Sequence, residues 1–110
     1  MFRSEAQLAR VCQALCADVG LARLWTEDGP SDEAVELRDA GGGPLSSGER
    51  IMVLAAWDVW NSHGATNLGD VMHRLDGHRL ATLGSLLLAV AGGMYAVDEW
   101  LRKRERERRR

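Results

Sequence analysis

The chain has 110 residues, 45 % of them hydrophobic and 27 % charged, with a formal net charge of −2. That length supports one domain with one core and excludes two, and the apolar content excludes wholesale disorder. The small net charge conceals a split: residues 1–100 hold seven Arg and fourteen acids, whereas residues 101–110 hold seven basic residues and two acids, an acidic body with a basic end.

Aromatic and β-branched residues are scarce, while Ala, Leu, Arg and Glu dominate, which favours helix over strand. Thirteen Arg against a single Lys points to a GC-rich genome, that of a bacterium or its phage. The two cysteines, Cys12 and Cys16, stand four apart on one helix, a spacing that does not favour a bridge. A reducing cytoplasm is therefore expected. The opening MFRSEAQLAR has no apolar signal-peptide core.

In chain order, Ser4 and Gln7 have the spacing of a capping box. Leu8, Val11, Cys12, Leu15 and Val19 then form one stripe, which predicts an amphipathic helix from about Glu5 to Val19. Gly20 and Leu21 fit its end. A short turn at Leu21–Trp25 should tuck Leu24 and Trp25 onto the core. The stretch from Thr26 to Pro44 carries six acids and one Arg. It reads as an acidic loop or, with Ser31 as a cap, a short helix over Asp32–Asp39; Val35 and Leu37, two apart, also allow a brief strand. Gly41-Gly42-Gly43-Pro44 is a link.

Ser46 and Glu49 predict a second capping box, opening a helix from about Gly48 to Asn61 that is apolar almost all round. A loop, Ser62–Thr66, follows. Asn67 caps a two-turn helix ending near Leu75, and Asp76 caps a second nearly all-apolar helix, Gly77–Ala91. A helix apolar on every side must be covered on every side, so helices 48–61 and 77–91 are expected at the centre of the fold. After Gly92-Gly93 a last helix starts near Met94. The end, LRKRERERRR, continues it, with Glu99–Lys103 and Glu105–Arg109 as i, i+4 pairs, and should fray. The eighteen residues Leu80–Val97 are uncharged, but Gly92-Gly93 interrupts them, so a buried helix followed by another is expected rather than a membrane span.

The expected architecture is thus all-α: a compact bundle of about five helices around the two apolar ones. Residues 1–101 would form the domain and 102–110 a charged tail.

Chemistry is sparse. Asp70 and His73 share a helix face and His78 is near, but no CxxC, HxxxH or HExxH spacing is present. The DVWNSHGATNLGD segment lacks the alternating carboxylates of a calcium loop. There is no GxSxG, glycine-rich phosphate loop or P-loop lysine. Asp32-Glu33 and Asp98-Glu99 read as solvated charges. No metal, cofactor or catalytic residue is expected.

Elimination leaves a non-catalytic protein-interaction module, an adaptor, subunit or inhibitor of a larger protein. Its expected contacts are the acids Glu27, Asp28, Asp32, Glu33, Glu36 and Asp39, which would steer a basic partner, and a Trp-bearing helix face with Trp25 or Trp100 exposed. The alternative is a nucleic-acid-associated protein. It would use the helix-turn-helix-like pair around residues 68–91, with Arg79 beside His78 and Thr82 on an open face. The tail cations Arg102, Lys103, Arg104, Arg106, Arg108, Arg109 and Arg110 would neutralise phosphates. Clustering of the seven body arginines would favour nucleic acid, and dispersal would favour protein. Homodimerisation through an apolar helix face is a third class, and no membrane partner is expected.

Overall fold

Polar side chains fix where the helices begin. In the computed structural model, which describes residues 2–109, Ser4, Ser31, Ser46, Asn67 and Asp76 each accept a backbone N–H from the residue three ahead. They open α1 (Glu5–Ala17), α2 (Asp32–Asp39), α3 (Ser47–Asn61), α4 (Leu68–Arg74) and α5 (Gly77–Ala91). Gly93, at φ +97°, stands before α6 (Met94–Arg108) without a side-chain cap. The box at Ser46 and Glu49 is complete in both directions. That at Ser4 is not: Gln7 Oε1 accepts the backbone N–H of Arg3 rather than of Ser4, and Gln7 Nε2 donates to the Met94 carbonyl (3.0 Å) and to Asp98 Oδ1 (2.9 Å). It clips α1 to α6. Asp98, read as solvated, is in fact buried, paired with Arg3 as well as Gln7.

The protein is a helical bundle with one small sheet. Strands β1 (Trp25–Thr26) and β2 (Gly29–Pro30) pair antiparallel, Trp25 opposite Pro30 and Thr26 opposite Gly29. They follow a 3₁₀ turn at Ala22–Leu24. This hairpin was not foreseen in the acidic stretch, where Glu27 and Asp28 form its tip.

Helix α1 packs along α3 on one side and α6 on another, and α5 lies against α6. Ala9, Val11, Cys12, Leu15 and Cys16 of α1 meet Ile51, Met52, Val53, Ala56 and Trp57 of α3 in the core. The centre is therefore α1 with α3, not α3 with α5. Helix α5 buries only Thr82 and Leu86. The hairpin packs on α1 and α2 on α3, while the described packing of α5 is chiefly against α6.

The charged end continues the last helix, as expected. Helix α6 runs without a break through residue 101 to Arg108, and Glu105 reaches back to Arg10 on α1. The expected i, i+4 pairs give way to Glu99–Arg102 and Arg104–Glu107. A radius of gyration of 12.8 Å matches the roughly 13 Å of a 100-residue compact domain. No helix among the described residues is long and apolar enough to cross a membrane.

Candidate functional site

The acidic stretch is a built platform. Beneath it, the Trp25 and Trp57 rings meet edge-on at 5.1 Å between centroids, and Trp60 approaches Trp25 at 6.4 Å. Trp57 Nε1 donates to the Ala34 carbonyl of α2 at 3.1 Å. The Arg38 guanidinium lies over the Trp57 ring, 4.4 Å from its centroid, a cation–π contact. Gly29 sits so close to Trp60 that a Cβ there would stand 3.2 Å from the ring. On this floor Glu27, Asp28, Asp32, Glu33, Glu36 and Asp39 are all exposed. Two of them are neutralised locally: Glu33 takes a two-point contact from Arg23 at 2.8 and 3.0 Å, and Asp39 pairs with Arg38. The hydrogen bond from Arg23 holds the Glu33 carboxyl below the usual carboxylate range. Glu27, Asp28, Asp32 and Glu36 make no ion pair among the described residues.

The expectation of an exposed tryptophan is corrected at this point. Trp25 is 0 % and Trp100 6 % exposed. Trp25 is the floor under the acids, and Trp100 is pinned by its Nε1 donating to Ser85 Oγ at 2.8 Å. Neither is available on the surface of the free chain.

What is available was missed. Leu68 and Met72 of α4 and Leu87 and Leu88 of α5 are 71, 65, 71 and 76 % exposed. Between α3, α4 and α5 runs an apolar groove of about 260 Å³, floored by Val59, Val71, Leu83 and Leu86 with Leu68 and Leu87 on its lips. Met94 and Tyr95, at the start of α6, are also exposed. The sequence signal for this face was the charge-free run Leu80–Val97. The same signal describes a buried helix, and nothing local separates the two.

The loop behind the groove is tied to α3 by one carboxylate. Asp58 Oδ1 accepts the N–H groups of Gly64 and Ala65, and its Oδ2 that of Thr66, all at 2.8 Å. Gly64 presses on α3: a Cβ there would lie 1.8 Å from the Leu54 carbonyl oxygen. The first carboxylate of the segment that invited comparison with a calcium loop is thus occupied by backbone amides.

The nucleic-acid surface does not assemble as drawn from the sequence. Thr82 is buried and donates to the His78 carbonyl, and His78 Nε2 lies 3.1 Å from Asp18 Oδ1. Arg79 pairs with its helix-capping Asp76. Six of the seven body arginines are matched to acids, through Arg3–Asp98, Arg10–Glu105, Arg23–Glu33, Arg38–Asp39, Arg74–Asp70 and Arg79–Asp76. They are dispersed over the segment before α1, four helices and a turn. On α6, Arg102 and Arg104 are matched within the helix, and Arg104 also lies over the Trp100 ring. Lys103, Arg106, Arg108 and Arg109 are exposed and unpaired among the described residues. Arg110 lies outside those residues.

Both cysteines are free and buried. Burial pushes the Cys16 thiol up to about 12 and raises that of Cys12 further, with the neighbouring Cys16 adding to it. A thiol held neutral is neither a nucleophile nor a metal ligand. Among the described residues no three of His, Cys, Asp and Glu are placed to hold a metal ion. A polar cleft of about 240 Å³ between α1, α5 and α6 brings Asp18, His78, Arg104 and Glu107 together, with Ala14 and Ala17 as its apolar wall. No protein-family model matches the chain, and neither the curated proteins nor the solved structures yield a match.

Proposed function

We propose that the protein is a non-catalytic interaction module, an adaptor, subunit or inhibitor that binds a larger protein. The observation that carries this reading is the uncovered apolar face of α4 and α5, with four large side chains at least 65 % exposed beside a groove. Contiguous exposed apolar surface on a small domain marks a place where something docks. The acidic platform is a second, polar contact: four unpaired carboxylates on a Trp-anchored scaffold steer a basic surface and set its orientation. The dispersal and internal pairing of the body arginines weigh against nucleic acid as the main partner, because phosphate binding needs a concentrated positive field. Two free thiols and the Arg-rich, Lys-poor composition support a bacterial or phage origin and a reducing cytoplasm.

The test is recovery of bound material from an extract of the cells that make the protein, with and without nuclease. Wild type is compared with a Leu87→Asp, Leu88→Asp double variant. One dominant protein, retained after nuclease and lost with the double variant, is the expected result. Bound material that vanishes with nuclease, or that ignores the double variant, overturns this reading of the face.

A further inference from the structure

We infer that two adjoining polar hollows beside the last turns of α6 form one site for a small zwitterion. The ligand carries an ammonium and a carboxylate on one short frame, and a free amino acid is its simplest form. The first hollow, about 240 Å³, lies between Asp18 at the end of α1 and Arg104, Glu107 and Arg108 of α6. The second, about 270 Å³, lies between residues 78–85 of α5 and the same stretch of α6, with Lys103 in its wall. His78, Arg104 and Glu107 line both hollows. Their size, below the roughly 300–1,000 Å³ of pockets for drug-sized ligands, restricts the guest to a small molecule. None of these residues lines the α4–α5 groove, so the site is independent of the docking face.

Unmet hydrogen bonds mark the place. Two side chains in these walls each hold a buried polar atom without a partner: Asp18 Oδ2, an acceptor, and Arg104 Nε, a donor. The two side chains are 12 and 16 % exposed. Asp18 Oδ1 is already engaged, 3.1 Å from His78 Nε2 and accepting from Thr82 Oγ1 at 3.4 Å. Arg104 Nε stands 3.5 Å from Glu107 Oε2 without a hydrogen bond. The other such atoms among the described residues, on Trp25, Thr66 and Arg79, belong to neither hollow. A buried charged group left unsatisfied is costly, and a molecule with a donor at one end and an acceptor at the other relieves both.

Charge decides which end goes where. Asp18 has a histidine but no arginine or lysine within ion-pair distance among the described residues, and it caps the C-terminal end of α1, where the helix dipole is negative. That end takes the ammonium. The second hollow sets Lys103 and Arg104 against Glu107 alone, and Lys103 makes no ion pair among the described residues. That end takes the carboxylate. A free phosphate would face Asp18 and Glu107. A metal ion would face Arg104, and no three side chains gather to hold one among the described residues. An apolar molecule would find only alanines, Ala14, Ala17 and Ala81. A zwitterion uses both signs of the walls.

Heteronuclear NMR of the full chain, titrated with each of the common amino acids to about 10 mM, tests this. The signals to follow are the backbone amides of Asp18 and His78 and the indole N–H of Trp100. That indole donates to Ser85 Oγ in the second hollow and has the Arg104 guanidinium over its ring. At least one amino acid should move all three signals along one saturating curve. Its carboxamide and its N-acetyl form should each bind at least about tenfold more weakly, as should the free amino acid to Asp18→Asn and to Lys103→Gln. Lys103 is exposed, so Lys103→Gln keeps the test decisive if Asp18→Asn fails to fold. No saturating shift with any amino acid, blocked forms that bind as well as the free one, or binding indifferent to Lys103→Gln would each overturn the inference. Equal shifts from a mixture of sodium acetate and methylammonium chloride would reduce the site to adventitious ions and overturn it too.

Discussion

Helices α3 and α5 have the same length, fifteen residues, and each is apolar on nearly every side. Their fates differ. Helix α3 buries Ile51, Met52, Val53, Ala55, Ala56 and Trp57, whereas α5 buries only Thr82 and Leu86. Composition states that such a helix needs a cover; it does not state which molecule supplies it. For α3 the cover is the same chain, through α1 and α2. For α5 the described packing is chiefly against α6, and Leu87 and Leu88 stay exposed.

The sharpest way to break this comparison is to truncate a large side chain on each helix. Trp57→Ala removes a buried indole, its edge-on contact with Trp25 and the donor to the Ala34 carbonyl. A loss of about 4 kcal/mol is expected from the cavity and the stranded carbonyl, a large share of the roughly 5–15 kcal/mol that holds a domain together. Urea unfolding followed by circular dichroism measures it. A loss no greater than that of an exposed leucine would mean that the acidic platform does not depend on its tryptophan floor.

The middle of the scale belongs to the caps, which treat both helices alike. Asp76 accepts the Arg79 backbone N–H at 2.9 Å at the start of α5, and that hydrogen bond is the main cause holding its carboxyl below the usual range. Glu49, in the box that opens α3, is lowered by its bond from the Ser46 backbone. Because both native carboxyls titrate below their unfolded values, their contribution is complete only above about pH 5 and disappears as pH falls through the depressed native values. Asp76→Ala should lower Tm by a few degrees at neutral pH. The gap from wild type should close on acidification below about pH 4; a gap independent of pH would remove the carboxylate's charge from the explanation.

Most of the helix map was legible in the sequence because caps are local. Ser4, Ser31, Ser46, Asn67 and Asp76 announce helix starts by their own chemistry, and the reading of Asp32–Asp39 as a short helix matches α2. What failed was long-range. Asp98 looks solvated in sequence and is buried because Gln7 and Arg3, more than ninety positions away, come to meet it. Trp25 looks like a contact anchor until Trp57 and Trp60 close over it. The acids of the platform were correctly expected at the surface, since nothing else could hold so many unpaired carboxylates. The groove was illegible for the opposite reason: its residues look like core in sequence, and only the tertiary arrangement shows them outside it.

The smallest intramolecular effect falls on the side chain with the largest proposed role. Leu88 is 76 % exposed, so Leu88→Ser should shift the stability of the isolated chain by less than about 0.5 kcal/mol. Anything that binds the folded state adds stability that grows with its concentration. Thermal melts of wild type and Leu88→Ser should therefore coincide for the isolated chain and separate as the partner recovered from the extract is added, with only the wild type gaining Tm. Wild-type and variant melts that stay together at every partner concentration would mean that the partner does not use this face. A difference already present at the lowest concentration would mean that Leu88 packs within its own chain, and α5 would then resemble α3 after all.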